Sequence, residues 1–537
     1  MCRYRRLICL SPWLLTAILL IWPGIRYVVQ DDLVLAQIVR GGAFGCRFFS
    51  GIAGRALYGL SALKPGVEWY DVWLLASLSA GFGMLHWTAL RWEKRAAHAV
   101  LWLAQASLTL AVFTFTTAAM VCVFAGAAAL LLTRGERRWP VWLAALLLVF
   151  NGCCMRRDGV LICCGGLLAP LAVLNGGFSW KRLGSAAAIA AVCAAIWAGI
   201  GLTDRALIGN DAALREYSEF ESARSALMDG RQSAPDEARL AEAGILTEDL
   251  LLVRSNFYAD AERLDAEWFQ RCAGVLNEGG SPMETLHTTA GRAANLLHER
   301  NPQLLCALAT AICALALGLA RRRALPCALA MAVMLGLETA YLICVDRYLD
   351  RVAAVMNWLC ALGVGAAYLS AAAQKRRTGW LRGIAAACLA VMVVAAGRHA
   401  VRFYDYAREA ERRHGQMADS DDLLLSSSVS LYTADLRVRA ANGPDRLTPN
   451  LLADWELYSP WWRQQMKNAG LEDHCGYAFD ALLEDGVALV VADGEQDAVG
   501  RLERYMERRD GIEISVEIVP MEGLDRFYRC DFTEEIS

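Results

Sequence analysis

Apolar segments of the length of a membrane-spanning helix recur along the first 400 residues of the chain. A helix that crosses the roughly 30 Å hydrocarbon layer needs about 20 mostly apolar residues. The first segment, LICLSPWLLTAILLIWPGIRYVV, is too long for a signal-peptide core and no small-residue cleavage site follows it, so we expect a retained span. We predict eleven spans: 7–29, 71–90, 96–113, 115–133, 139–155, 159–176, 182–203, 303–320, 325–345, 352–373 and 380–397.

Two continuous apolar stretches, 96–133 and 139–176, are each divided into two spans in this count. A single helix over such a stretch would be about 57 Å long, nearly twice the thickness of the layer, so each is expected to fold as a hairpin. The turns are FTFTT and MRRDG. With both hairpins, the basic clusters CRYRR, RWEKR, TRGERR, WKR, ARRR and QKRRTGWLR share one side, which the positive-inside rule assigns to the cytoplasm.

Composition agrees with a polytopic membrane protein. Hydrophobic residues make up 56% of the chain and the mean hydropathy is +0.31, which is too apolar for an ordinary soluble enzyme. The net charge of −3 is close to balance, so no global field favours nucleic acid as a partner.

Most of the eighteen cysteines lie within predicted spans and are expected to act as small apolar fillers. Cys46, Cys272, Cys475 and Cys530 are expected on the outer side, and Cys153, Cys154, Cys163 and Cys164 lack the spacing of a zinc site.

This topology places three large pieces on the outer face: about 30–70, 204–302 and everything after 398. The second piece has apolar residues at helical spacing and is predicted to be a helical layer on the membrane domain. The tail contains the strand-like segments LLLSSSVSL, GVALVVAD, IEISVEIVP and RFYRCDF, and a helix, DAVGRLERYMERR. We therefore predict a transmembrane domain over 1–400 and an extracytoplasmic α/β domain over 401–537 whose fragment 415–537 folds alone.

Two adjacent carboxylates, Asp31 and Asp32, follow the first span directly. Ionisable groups at a membrane boundary are candidates for function because their desolvation is unfavourable. The simpler interpretation is that they cap the helix that LVLAQIVRGGAFG forms, for which one Asp would suffice. Both interpretations remain open at this point.

Arginines at the tips of two outer turns oppose the positive-inside bias: Arg156, Arg157, Arg347 and Arg351. Local ion pairs within RRD and DRYLDR would account for them. The alternative is an anionic ligand, because a guanidinium binds phosphate through two charge-assisted hydrogen bonds. Acids and arginines together suit a lipid-linked phosphate or diphosphate that approaches from the outer leaflet.

A family resemblance rests on this first loop and on the general architecture. An acidic pair directly after the first span, amphipathic helices through LYGLSALKPGVEWYDV with Trp69 and Tyr70 before the second span, many further spans and a soluble outer domain resemble the GT-C superfamily of membrane glycosyltransferases. The resemblance covers about 1–400 and extends to bacterial multi-span proteins, which implies a bacterial plasma membrane location.

The resemblance implies transfer of a sugar from a polyprenyl-phosphate donor to an envelope glycan or glycolipid acceptor on the outer face. An Asp of the first loop would serve as general base or as ligand of a divalent cation, a role that falls to Asp31 or Asp32. The arginines would neutralise the leaving phosphate. A second acidic motif is not apparent, and Glu216, Glu219 and Asp229 are candidates for a second acid.

Two other classes of function remain open. A transporter or flippase of an envelope lipid should carry charged sites near the bilayer midplane, for which Glu338 is the best candidate. A non-catalytic membrane scaffold needs neither the acids nor the arginines, so alanine replacements there would be silent.

The charge pattern predicts the side on which the chain ends. Because the basic loops share one side only with eleven spans, we expect a reporter fused after Ser537 to lie outside the cytoplasm, as paired alkaline phosphatase and green fluorescent protein fusions would show. A fluorescent, phosphatase-negative fusion would contradict this orientation.

Overall fold

The computed structural model describes residues 2–40, 48–133, 139–157, 167, 170, 180–228, 237–277, 282–371, 378–417, 422–426, 438, 452, 455–521 and 527–535. Its helices, in the part of the chain described, are α1 (Cys2–Ile21), α2 (Gln30–Arg40), α3 (Gly51–Leu63), α4 (Trp69–Ala89), α5 (Arg95–Ala111), α6 (Phe115–Leu132), α7 (Trp139–Met155), α8 (Trp180–Gly209), α9 (Ala212–Met228), α10 (Glu237–Glu242), α11 (Thr247–Arg254), α12 (Ala266–Asn277), α13 (Pro282–His298), α14 (Pro302–Ala320), α15 (Leu325–Cys344), α16 (Asp350–Ser370), α17 (Gly379–Met417), α18 (Pro460–Asn468) and α19 (Gln496–Asp510). The strands are β1 (Leu423–Ser426), β2 (Val487–Ala492), β3 (Ile514–Pro520) and β4 (Phe527–Glu534).

The chain is mainly helical, as predicted, and its long apolar helices follow the predicted spans. Within the residues described, six helices are long and apolar enough to cross a membrane: α6, α8, α14, α15, α16 and α17. The predicted spans 71–90 and 96–113 coincide with α4 and α5, and 139–155 coincides with the shorter apolar helix α7. The predicted span 7–29 overlaps α1 only as far as Ile21, where that helix ends. The predicted span 159–176 lies almost wholly outside the described residues. The total of eleven therefore stays a prediction.

The first long apolar stretch is divided into two helices, as predicted. Helix α5 ends at Ala111 and α6 begins at Phe115, so the break falls within FTFTT. Thr114 accepts a hydrogen bond from the backbone N–H of Thr117 at 3.1 Å, which caps one of the unpaired donors at the start of α6. The second predicted turn is described only as far as residue 157, where the chain has left α7.

Helix α6 is the central helix of the bundle. Of its most apolar window, 94% is buried inside the protein, whereas α8 and α17 expose most of theirs and present apolar side chains to lipid. Glycine allows α7 to approach α6 closely, because a Cβ on Gly126 would lie 2.4 Å from the carbonyl oxygen of Ala145. Close contact of backbones is a common means of helix association where no hydrophobic effect acts between helices.

The polar connections lie at two ends of the bundle. At one end, Arg5 lies 3.9 Å from Glu93, the Trp92 indole donates to Ser370 at 3.1 Å, and Arg321 donates to the carbonyl of Tyr368 at 2.6 Å. The acidic pair, the start of α6 and the start of α16 meet at the opposite end. The basic loops that are described thus collect at the end away from the acidic pair, while the assignment of that end to the cytoplasm stays a prediction.

The tail contains the predicted strands and helix. A four-stranded sheet has the order β1-β2-β4-β3, with β1 and β2 parallel and the other two pairs antiparallel. Helix α19 runs between β2 and β3 and packs on β3. Helix α17 continues without a break through Ala400, as predicted for a membrane helix that extends into water. The division into 1–400 and 401–537 stays a proposal.

The second outer loop packs against this tail as well as against the membrane helices. Asp260 is fully buried and accepts hydrogen bonds from the Tyr505 hydroxyl at 2.8 Å and from the Arg509 guanidinium at 3.1 Å. The rings of Phe220 and Tyr458 meet edge to face at 4.6 Å. The predicted helical layer is present in α9 to α13, and it shares a hydrophobic core with the tail.

The hydrophobic core that the tail shares with the second loop argues against the expectation that residues 415–537 fold alone. We expect that fragment to aggregate when expressed by itself, because apolar faces such as that of Tyr458 lose the loop that covers them, and to become soluble when co-expressed with residues 210–300. Arg463→Ala serves as a control with little effect, since its ion pair with Glu216 is exposed. Cooperative thermal unfolding of the isolated fragment would show instead that the tail is self-sufficient.

Candidate functional site

Asp32 joins three helices at the end of the bundle. It lies in the first turn of α2 and its side chain is fully buried. One carboxylate oxygen accepts the Tyr70 hydroxyl of α4 at 2.9 Å and the backbone N–H of Phe115, the first residue of α6, at 2.8 Å. The carboxylate therefore satisfies a donor at the start of another helix and does more than cap its own.

A second tyrosine–aspartate hydrogen bond connects the same segments, but here the tyrosine precedes α2 and the aspartate belongs to α4. Tyr27, which precedes α2, donates its hydroxyl to Asp71 of α4, and both side chains are buried. Tyr70 of α4 in turn donates to Asp32 of α2. These two hydrogen bonds fix the chain on both sides of Asp31.

The environment of Asp32 disfavours its charged form. Burial raises its pKa from the ordinary value of 3.8 to about 8, although the hydrogen bonds from Phe115 and Tyr70 act in the other direction. Asp31 raises this pKa further and Arg351 lowers it. The second carboxylate oxygen of Asp32 has no hydrogen-bond partner within the residues described. Burial therefore favours the protonated form of Asp32.

Asp31 has a different environment from its neighbour. Its carboxylate lies 3.5 Å from the guanidinium of Arg351, at the start of α16, although 320 positions separate the two residues. The side chains keep exposed fractions of 15% and 18%, so both can be reached from outside. Arg351 is thus paired with the distant acid and not within DRYLDR. Asp346, from the same segment, pairs with Arg292 at 3.0 Å.

Arg156 belongs to the same end of the bundle through aromatic contacts. It follows α7, and its guanidinium lies 5.0 Å from the ring centre of Phe115 and 5.8 Å from that of Phe48. Phe48 also meets the Trp455 ring of the tail edge to face at 4.5 Å. Through Phe115, whose N–H donates to Asp32, Arg156 and the acidic pair share one neighbour.

The other predicted residues lie elsewhere. Arg157 lies 5.9 Å from the Trp197 ring on α8. Arg347 is half-buried in the turn between α15 and α16. Glu216 and Glu219 are exposed on α9, where Glu216 pairs with Arg463, and Asp229 lies outside the described residues. The structure therefore brings together Asp31, Asp32, Arg156 and Arg351, whereas the second acid stays unassigned.

Several contributing residues were not predicted from the sequence. Tyr70 stands in the WY motif, but its hydrogen bond to Asp32 depends on the approach of α4 to α2. Asp71 follows it directly and is a buried acid. Phe48 and Trp455 carry no sequence signal, because aromatic residues at a membrane boundary are common.

A divalent cation at the acidic pair would need further ligands. One oxygen of Asp32 already accepts two hydrogen bonds, and Asp31 faces a guanidinium. In the described part of the chain, no three His, Cys, Asp or Glu side chains converge to hold a metal ion. The donors present do not fit a cation site, so the proposal below includes no step through a metal. Of the predicted cysteine group, Cys153 and Cys154 are buried, whereas Cys163 and Cys164 are not described.

The fold and the site define a class of protein: a mainly helical polytopic membrane protein with an acid–arginine site at one end of its bundle.

No protein-family model matches the chain, and no curated protein matches its sequence. Among solved structures, the chain is similar to ArnT from Cupriavidus metallidurans, crystallised with undecaprenyl phosphate bound. The match covers 98% of this chain and 97% of that chain, at 13% identity and a TM-score of 0.38. At this identity and TM-score, the match supports no statement about family, residue roles or substrates.

The raised pKa of Asp32 predicts a pH dependence of stability. Between its ordinary value of 3.8 and about 8 the folded state binds more protons than the unfolded state, so stability should fall as the pH rises through this range. Asp32→Asn keeps an acceptor oxygen and cannot ionise. We therefore expect the thermal midpoint of the wild type in detergent to fall from about pH 6 to about pH 9 by more than that of the variant.

The control for this comparison is Asp31→Asn, whose side chain is partly exposed and which leaves Asp32 titratable. That variant should keep most of the wild-type pH dependence, because burial is the largest cause of the raised Asp32 pKa and the charge of Asp31 is a smaller one. Equal slopes for the wild type and Asp32→Asn would contradict the assignment of a buried, protonated Asp32.

Proposed function

We propose that the protein is a GT-C-like membrane glycosyltransferase that transfers a sugar from a polyprenyl-phosphate-linked donor to an envelope glycan or glycolipid on the outer face. The observation that carries the proposal is the Asp31–Arg351 contact, in which a base and a phosphate-binding group lie side by side at the end of the bundle. Undecaprenyl phosphate, the ligand of the ArnT structure, belongs to the proposed class of lipid carrier.

Asp31 suits the part of general base better than Asp32. A base must be ionised and must come within hydrogen-bond reach of the attacking hydroxyl. Asp32 is fully buried and burial raises its pKa to about 8, so it is a poor proton acceptor at neutral pH. Asp31 is partly exposed. We assign Asp32 the positioning role, since it fixes α2 against α4 and α6.

These groups account for the proton and the electron pair that move in the transfer step. The acceptor hydroxyl gives its proton to Asp31 while its oxygen bonds to the anomeric carbon. The bond from that carbon to the phosphate oxygen breaks, and its electron pair leaves with the polyprenyl phosphate. Arg351 stabilises the negative charge that develops on the leaving group. Because the sugar must enter between the attacking and leaving oxygens, the Asp31–Arg351 contact opens when the donor binds.

Arg156 is a second candidate for binding the phosphate. Its guanidinium lies over two aromatic rings, and these contacts restrict its rotation. A preorganised cation loses less conformational entropy when an anion binds. Two arginines carry one more positive charge than is needed to balance the single negative charge of a phosphodiester. The additional positive charge suits the additional negative charge of the leaving phosphate.

A transporter remains the second candidate, because Glu338 lies within α15. Its side chain is buried, and neither carboxylate oxygen has a hydrogen-bond partner in the described part of the chain. A buried acid in a membrane helix is a common feature of ion and substrate pathways. A flippase would change the leaflet in which a lipid resides and leave its mass unchanged, which separates the two functions.

The test compares the masses of envelope lipids and glycans from a deletion strain complemented with the wild type or with variants. We expect Asp31→Asn to accumulate normally and to lower the transfer rate on the order of 10²- to 10⁴-fold, because the base is lost. Arg351→Lys and Arg156→Lys should lower it less, on the order of tenfold, since each loses about one charge-assisted hydrogen bond to phosphate.

The matched control is Glu338→Gln, which makes the same acid-to-amide change in a buried residue away from the site. It should be silent if the protein is a transferase and damaging if it is a transporter. Wild-type masses in the Asp31→Asn strain, or no mass difference between the deletion strain and the wild type, would refute the enzyme proposal.

A further inference from the structure

A polar cavity lies beside the acidic pair and is not part of the proposed catalytic step. It has a volume of about 200 Å³ and is enclosed by α2, α3, the turn after α3 and the first residues of α4. Ala36, one helical turn beyond Asp32, lines its near end, and Arg40 lines its far end. A cavity of this size has room for one sugar ring and not for an oligosaccharide.

The walls combine aromatic rings with paired charges. Arg40 and Glu68 form an ion pair across the cavity wall, and Glu68 is buried. Tyr58 and Trp69 supply aromatic rings, and Ser61 supplies a hydroxyl. Together the walls offer guanidinium donors, carboxylate acceptors and flat apolar faces with little net charge. Binding sites for small polar molecules commonly combine apolar and aromatic walls with a few placed polar groups.

This chemistry favours a neutral polyhydroxylated ring over the other occupants that a membrane protein meets. A phosphate would lie against the Glu68 carboxylate, which repels it. A lipid chain would leave the Arg40–Glu68 pair desolvated without new partners. A cavity of about 290 Å³ at the opposite end of the bundle differs from this one in its chemistry. Its walls consist mostly of apolar residues, such as Leu85, Phe124 and Leu389.

Tyr70 connects the cavity to the acids. Its side chain lines the cavity, and its hydroxyl donates to Asp32 at 2.9 Å. Along α2, the cavity begins four residues after Asp32 and ends eight residues after it, which corresponds to about 6 to 12 Å at 1.5 Å per residue. An occupant therefore lies next to the acidic pair, at the distance of a neighbouring ring in a glycan.

We propose that the cavity between α2, α3 and α4 binds one neutral sugar ring of the acceptor, adjacent to the ring whose hydroxyl reacts. This inference rests on the proposed function for the identity of the acceptor, while the binding of a sugar ring can be measured by itself. The cavity would select acceptors by a ring that takes no part in bond formation.

The experiment uses the full chain in detergent micelles and saturation-transfer NMR with three probes: the methyl pyranosides of glucose, mannose and galactose. We expect at least one probe to bind the wild type. Ser61→Trp, which fills the cavity, should abolish that binding. Leu63→Trp is the matched control, because Leu63 lies on the same helix, is 82% exposed and does not line the cavity. It should bind the probe as the wild type does.

A second variant keeps the test decisive if Ser61→Trp fails to fold. Tyr58 is 42% exposed, so Tyr58→Ala should leave the fold intact and weaken binding about tenfold, because the cavity loses one of its aromatic faces. The proposal is overturned if no pyranoside binds, if both variants bind as the wild type does, or if glucose 1-phosphate binds more tightly than methyl glucoside.

Asp31→Asn separates this inference from the proposed function. That variant should lose transfer and still bind the pyranoside, because Asp31 does not line the cavity. Sugar binding by a wild-type protein that shows no transfer activity would refute the proposed function alone. Transfer by a protein whose cavity binds no sugar would refute the inference alone.

Discussion

The burial of the Asp32 carboxylate is the constraint on which the site depends. A buried carboxyl group without hydrogen bonds is strongly unfavourable, and here the donors come from the side chain of Tyr70 and from the first N–H of α6. Neither donor is available until α2, α4 and α6 have packed. The first loop therefore has one favourable position on the bundle. In that position Asp31, one residue before Asp32, lies next to Arg351 at the start of α16.

The two adjacent acids illustrate how burial alone separates chemical roles. Asp32 exposes none of its side chain and Asp31 exposes 15%, although they are neighbours in the same helical turn. Side chains of successive residues in a helix point about 100° apart, so one can face the bundle while the next faces its rim. The buried acid binds its proton more firmly and holds helices together. The rim acid keeps its access to solvent and to ligands.

Much of the architecture follows from hydrophobic length and from turn residues, which are local properties. The strands of the tail, the continuation of α17 past residue 400 and the break at FTFTT are each set within a few neighbouring residues, and the sequence predicts them. The contacts of the site are not local. Arg351 pairs with an acid 320 positions away, where DRYLDR suggested a local partner, and Phe48 reaches Trp455 in the tail. Such pairs depend on the packing order of the helices, which no periodicity encodes.

One connection between the tail and the site is a line of aromatic contacts. Trp455 packs on Phe48, Phe48 lies beneath the Arg156 guanidinium, and that guanidinium also covers Phe115, whose N–H is bound by Asp32. The tail is in turn anchored to the second outer loop through the buried Asp260 and its partners Tyr505 and Arg509. The first loop, the second loop and the tail therefore all contribute to the position of Arg156. The sheet domain thus supplies packing, through Trp455 and Phe48, that orients this guanidinium beside the first loop.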